Sequence, residues 1–223
     1  MKKIMFSERY GLEQAVLAGT KTMTRRIIPD IEIDWNRRGR VTLPVSGFEH
    51  GVLFMDVRSI LHDAGICDYS APAKYQPKYE IGEEVAIAQP YKNDGVLTYN
   101  AYNEDGTARE DGLRRHKEIL ESKGYRNKMF VKAEYMPHRI RITGIKAERL
   151  QDIAEQECIC EGIKIKKGNR NGERPFGEFT FDGWNDYSFT AREAFAALID
   201  RISGRGTWQS NPWVYAYTFE LIK

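Results

Sequence analysis

Residues 3–28 read KIMFSERYGLEQAVLAGTKTMTRRII, and the reading of this stretch decides the fold. It opens on KIMF (3–6), four residues of strand character. Ser7 then offers a side-chain oxygen for a helix N-terminus. Leu12, Ala15 and Val16 recur at helical spacing with Leu17 beside them, and Gly19 stands where the C′ residue of a helix belongs. In KTMTRRII (21–28), Met23, Ile27 and the β-branched threonines suit an extended segment that Pro29 stops. The pattern is strand, one short helix, strand.

Outward from there the chain keeps alternating. RGRVTLPV (38–45) and GVLFMDVR (51–58) read as two strands of a hairpin, and EVAIAQPY (84–91) as a short apolar strand entered at Gly82. Residues 92–129 are polar and read as a surface excursion with a short helix near Arg114–Ser122. MFVKAEY (129–135) resumes strand character. In RIRITGIKAERL (139–150), Ile140 and Ile142 alternate with Arg139, Arg141 and Thr143, the pattern of a half-buried strand. Asp152 with Glu155 predicts a helix over about 152–160 that Gly162 ends. Residues 164–188, rich in Gly, Asn and Lys, read as a loop. FTAREAFAALIDRISG (189–204) is the strongest helix: Thr190 caps it, Glu193 completes the capping box, and Ala194, Phe195, Leu198, Ile199 and Ile202 form an apolar stripe ending at Gly204. WVYAYTFELI (213–222) is the last strand. Strands interleaved with short helices predict an α+β fold, a curved or closed, mainly antiparallel sheet with helices packed on it.

Composition bounds the function. The 223 residues carry a formal charge of +2, too small for bulk electrostatics to imply a nucleic-acid partner, so such a partner would need a local patch. Three cysteines, Cys67, Cys158 and Cys160, are too few for a disulfide framework and suit a reducing compartment. No secretory leader follows the first lysines and no run reaches the roughly 18 apolar residues of a membrane span, so a soluble, cytoplasmic protein without a membrane partner is expected. Cys158-x-Cys160 has no neighbouring ligand pair, so no metal and no cofactor is expected.

The densest positive cluster follows Gly19: Lys21, Arg25 and Arg26, with Thr24 among them. Such a cluster suits a phosphate or an RNA backbone, and equally a solvated basic edge strand. Trp213, at a strand entry after Asn211-Pro212, is a candidate wall of a binding pocket.

Four blocks resemble, in order, the ASCH domain family of the PUA-like superfamily, in its larger phage and prophage version. They are MFSERYGLEQAVLAGTKTMTRRII (5–28), YEIGEEVAIAQPY (79–91), MPHRIRITGIKAERLQDIAEQECICEGI (136–163) and AFAALIDRISGRGTWQSNPWVYAYTFELI (194–222). The chain departs from the family's form at Gln89, Tyr91 and Glu157-Cys158-Ile159-Cys160. The resemblance implies one domain over 1–223, a small, mainly antiparallel PUA-like β-barrel with short helices on it and insertions at about 30–80, 92–129 and 164–188. It implies a module that binds RNA or a modified nucleoside, with Gly19, Lys21, Arg25, Arg26 and Trp213 as contacts. An alternative it implies is an amidohydrolase for an N4-acylated cytidine such as N4-acetylcytidine, with Lys21, Thr24 and Glu161 catalytic. A Thr hydroxyl needs a base to become a nucleophile, a buried Lys can serve, and a carboxylate can pass the proton on. Lys21 and Thr24 do not share a face by strict alternation, so that reading requires a bend or bulge. The competing expectation is a structural Lys21–Glu161 ion pair. A third reading is a phage protein-interaction element using 92–129.

Overall fold

The computed structural model describes residues 1–29, 77–166, 179–184 and 187–222 in full, and the backbone of strands within 31–54 and at 178. The sheet is carried by its two long strands, here β8 (Arg139–Arg149) and β11 (Trp213–Ile222), which pair antiparallel from Trp213 opposite Arg149 to Ile222 opposite Arg139. β7 (Glu84–Ile87) pairs antiparallel with the start of β8, and β1 (Lys2–Ile4) lies parallel to β7. β2 (Met23–Ile27) pairs antiparallel with β11, which sets Thr24 opposite Tyr217. The order is β1-β7-β8-β11-β2. Four short strands form two separate hairpins: β3 (Ile31–Asp34) with β4 (Arg40–Leu43), and β5 (Gly47–Glu49) with β6 (Val52–Phe54). The strands expected near 40 and 52 thus exist, each with a nearer partner than the other.

Ile140 and Ile142 are buried between exposed Arg141 and Thr143, as the alternation predicts. Gly144 faces Thr218 while Ile142 faces Phe219, so Thr143 is an extra residue, a β-bulge. The Thr218 side chain lies over Gly144 at the bulge: a Cβ there would be 2.5 Å from Thr218 Oγ1. Helix α1 (Leu12–Leu17) and, far along the chain, α5 (Ala191–Ser203) cover the sheet. Leu12, Val16, Val85, Ile87, Ile140, Phe195, Leu198 and Val214 share one buried cluster. Thr190 Oγ1 accepts the Glu193 N–H at 3.1 Å, the cap expected of α5.

The sheet is not closed into a barrel, which corrects the closed form that the resemblance implies. β1 and β2 are its two edges, and side chains span the seam between them. The Arg26 guanidinium reaches the Met5 carbonyl at 2.7 Å and lies over the Phe6 ring. A cavity of about 260 Å³ separates the edges. Among the described residues no backbone ladder joins β1 to β2.

Other expectations are corrected by packing. The 92–129 segment is not a mere polar excursion. It holds α2 (Asp94–Ala101), which was not expected, and α3 (Gly112–Glu121), the short helix expected near 114–122, whose Val96 and Ile119 join Ala86, Ala88, Tyr91, Val131, Tyr135 and Met136 in a second core. One buried apolar residue per helix is too sparse to register as a period. MFVKAEY forms two 3₁₀ turns, Lys128–Phe130 and Ala133–Tyr135, rather than a strand. Within 164–188, β9 (Lys164–Lys166) pairs antiparallel with β10 (Glu178–Thr180). Helix α1 starts at Leu12, after Gly11 at φ +66°, and Ser7 contributes its carbonyl to the Leu12 N–H instead of a side-chain cap. Helix α4 (Glu155–Cys160) starts later than expected because Glu157, not Glu155, returns to cap the Ala154 N–H at 3.1 Å. A short helix α6 (Thr207–Ser210) follows α5. No helix of the described residues is long and apolar enough to cross a membrane.

Gly144→Val forces a side chain into the Thr218 hydroxyl at the bulge. The expected result in urea unfolding is a loss of about 1–3 kcal/mol, and an unchanged midpoint would show that the strands separate there without strain.

Candidate functional site

Two helix ends build the site. After α1, Gly19 at φ +72° donates to Val16 O and Thr20 N to Ala15 O, a Schellman turn. After α4, Gly162 at φ +106° donates to Ile159 O and Ile163 N to Cys158 O, the same motif. The two turns meet: Thr22 N donates to Cys160 O at 3.0 Å. This sets Lys21, leaving the first turn, against Glu161, the C-cap of the second.

Lys21 is buried, 2% exposed. Its Nζ donates to Glu161 Oε2, to the Glu161 carbonyl and to the Met23 carbonyl, each at 2.7 Å. The Thr24 hydroxyl is not among these partners. Burial pushes the Lys21 pKa below its usual 10.5, the Glu161 carboxylate opposes that shift, and the Arg26 and Arg25 charges add to it. Because Lys21 precedes β2, the side chain leaves from a turn rather than from a pleated strand. The bend required to bring Lys21 and Thr24 to one place is therefore the helix end, not a bulge.

Arg25 is the other centre. Its Nε meets Glu148 Oε1 at 2.9 Å, one terminal nitrogen meets Glu157 Oε2 at 2.6 Å, and the other meets Glu161 Oε1 at 3.2 Å. Burial alone would lower the Arg25 pKa, and Glu161, Glu148 and Glu157 outweigh it and raise it. Lys146 lies 2.9 Å from Glu148 and 2.7 Å from Glu157. Lys21, Arg25 and Lys146 thus face Glu148, Glu157 and Glu161, three cations against three carboxylates.

Of the candidates from the sequence, Lys21, Thr24, Arg25, Arg26 and Glu161 line one cleft of about 200 Å³, walled on its far side by Phe195, Leu198, Ile199 and Ile202 of α5. Gly19 shapes the turn and is not part of this wall. Trp213 also lies outside it, with the Arg149 guanidinium 4.7 Å from its ring centre. The guanidinium of Arg25 is aimed at carboxylates, so the phosphate role read from the basic run has Arg26 as its remaining arginine. Glu148 and Glu157 escaped the sequence reading. One signal could have found Glu157: it stands four residues before Glu161, the helical spacing that puts two side chains on one face.

A second buried charge was equally silent. Glu13, 1% exposed within α1, accepts from Gln89 Nε2 at 3.0 Å and from Lys128 Nζ at 2.9 Å. Gln89 is one of the departures from the family's form. Cys158 is packed in the main core, where burial pushes its thiol up to about 12. Among the described residues, no group of three or more His, Cys, Asp or Glu is placed to hold a metal ion.

Comparison of the chain with family models, with curated proteins and with solved structures finds no match in any of the three.

Removing Arg25 takes a partner from the buried Glu161 and from the half-buried Glu148 and Glu157. Arg25→Met is expected to lose about 3–5 kcal/mol of stability by denaturant unfolding, and a loss within the error of the measurement would show that the knot does not hold β2 to α4. The pH dependence has a defined sign. Burial would raise the Glu157 pKa, but hydrogen bonds from Lys146 and the Ala154 N–H, with the Arg25 and Lys146 charges, hold it below its usual 4.5. The unfolded chain then binds the proton more readily, so the contribution is present above pH 4.5 and is lost as pH falls below it. Melting curves from pH 7 to 3 should fall more steeply for the unsubstituted protein than for Glu157→Gln.

Proposed function

We propose that the chain is an ASCH-type, PUA-like domain with an open sheet and that it binds a modified nucleoside, free or within RNA, in the cleft between β2 and α5. One observation carries this reading: Lys21, Thr24 and Glu161, from two distant segments, converge on a single cleft with an apolar wall. The charge balance of the surrounding knot supports it further. Lys21, Arg25 and Glu161 in the cleft are already paired with one another, and Arg26 at its edge donates to the Met5 carbonyl, so the interior offers directed polar groups that suit a neutral, flat, polar ring. The α5 wall supplies the apolar face against which such a ring lies.

A second reading is favoured by the position of Thr24. A threonine that is 5% exposed, in the same cleft as a buried lysine and a carboxylate, has the components of an activated nucleophile. In an N4-acylcytidine amidohydrolase, Thr24 Oγ1 would attack the acyl carbonyl, Lys21 would take the hydroxyl proton, and Glu161 would pass a proton to the leaving amine. Water would then release the acid from the threonine ester. Lys21 must first give up its ammonium proton and turn from its carbonyl partners towards Thr24. That requirement makes binding the first reading and hydrolysis the second.

Both readings are tested on one preparation. Melting temperatures are measured with cytidine, uridine, adenosine, guanosine and N4-acetylcytidine at millimolar concentration. The expected result is a selective rise of several degrees for one of them that Thr24→Val reduces. No shift with any nucleoside and no salt-dependent RNA binding would remove the binding reading. Chromatography of the N4-acetylcytidine sample separates the two readings: release of cytidine that is abolished in both Thr24→Val and Lys21→Met supports hydrolysis, and intact ligand leaves binding alone.

A further inference from the structure

The seam between β1 and β2 holds a second cavity, of about 260 Å³, that no part of the sequence reading anticipated. Its chemistry is the reverse of the first cleft. Lys3, Arg26 and Lys78 line it together with Tyr79, Tyr215 and Tyr217, and among the described residues no carboxylate lines it. The Tyr79 hydroxyl donates to the Lys3 carbonyl at 3.0 Å, and the Tyr217 hydroxyl accepts the Lys78 N–H at 3.0 Å, so the aromatic floor is fixed in place. The tyrosine rings meet edge to face at 5.3 Å between Tyr79 and Tyr217. Lys78 is exposed and its Nζ lies 5.4 Å from the centre of the Tyr79 ring. Lys3 Nζ is tied to the Met129 and Val131 carbonyls. Lys3 has its pKa lowered first by burial and then by the Lys78 charge.

The two cavities are neighbours. Met5, Arg26 and Ile27 belong to the walls of both. In one, Lys21 and Arg25 are paired with Glu161; the other, which shares Arg26 with it, presents cations and no carboxylate among the described residues. We propose that the seam cavity is the phosphate subsite of the same ligand, so that the protein takes a nucleoside monophosphate, or the corresponding unit of a strand, in preference to the free nucleoside. The inference rests on the nucleoside reading of the first cleft and adds the anionic half. Arg26 stands at the junction, and Lys3 and Lys78 flank the phosphate. An oxygen anion there gains charge-assisted hydrogen bonds that the free nucleoside lacks.

The test is calorimetric titration of the full chain with the nucleoside that shifts melting most, with its 5′- and 3′-monophosphates, and with inorganic phosphate, at low and at moderate salt. One monophosphate should bind at least tenfold more tightly than its nucleoside, and raising the salt should narrow that ratio. In Lys78→Gln and Arg26→Gln the ratio should fall towards one. Circular dichroism and melting of each variant confirm that it is folded. Lys78→Glu, at an exposed position, should invert the preference. Equal affinity for nucleoside and monophosphate, or a preference that survives both glutamine variants, overturns the phosphate subsite and leaves the nucleoside reading standing. Binding of inorganic phosphate with every nucleoside and nucleotide inert overturns the nucleoside reading and this inference together. Monophosphate binding that depends on Lys78 while phosphate alone binds weakly supports both.

Discussion

The enclosure of one guanidinium decides how this domain is put together. Arg25 stands on β2, an edge strand that among the described residues pairs with β11 alone. Three carboxylates from elsewhere surround it: Glu148 from β8, and Glu157 and Glu161 from α4. A planar fork of five donors can meet several carboxylates at once, which an ammonium cannot do with the same geometry. Strand β8 is separated from β2 by β11, so the knot crosses the sheet order and fixes α4 over the end of the ladder. A buried ion cluster is weak evidence for net stability, because desolvation opposes attraction. Its effect is on arrangement: any packing that parts Arg25 from the three carboxylates leaves a buried guanidinium without them.

The site follows from that arrangement. Glu161 gives one carboxylate oxygen to Arg25 and the other to Lys21, so the charge of the knot reaches the cleft through a single side chain. Lys21 and Thr24 are brought to the cleft by the turn after α1 and by the edge strand that follows it. Their environment is then completed by α5, far along the chain, whose Phe195, Leu198 and Ile199 form the apolar side. The same edge position of β2 leaves its other flank open to β1, and there the seam cavity forms with Arg26 between the two. An open sheet thus creates what a fully paired one would remove: a gap with cations and rings on its rim.

Much of the frame was legible. The alternation of Ile140 and Ile142 with Arg141 and Thr143 reports β8, because burial on one face of a strand has a period of two. Thr190, Glu193, Gly204 and the apolar stripe between them report α5, because caps and an amphipathic face are local. Gly19 and Gly162 were readable as helix ends for the same reason. The helix at 112–121 was read, near Arg114–Ser122, but its place in a second core was not, and the helix at 94–101 was missed, since each gives that core little more than one apolar side chain, Ile119 and Val96. The hairpin between 164–166 and 178–180 was missed because its first strand is exposed on every residue and carries no burial pattern.

By itself the sequence determined where most strands and the long helix lie, that Lys21, Thr24, Arg25 and Arg26 are crowded together, and that Glu161 ends a helix. These are properties of neighbours along the chain, set by steric preference, capping and short-range periodicity. The Lys21–Glu161 ion pair was one of the expectations and it forms, but only the tertiary structure decided that Arg25 is spent on Glu148, Glu157 and Glu161. Glu148 and Glu161 lie more than a hundred residues from Arg25 and Lys21, and the partners of Arg25 come from two different elements. Coulomb attraction and desolvation act through space and carry no trace in residue spacing. The basic run after Gly19 therefore looked open to phosphate, and folding turned it into a balanced knot with one arginine left at the seam.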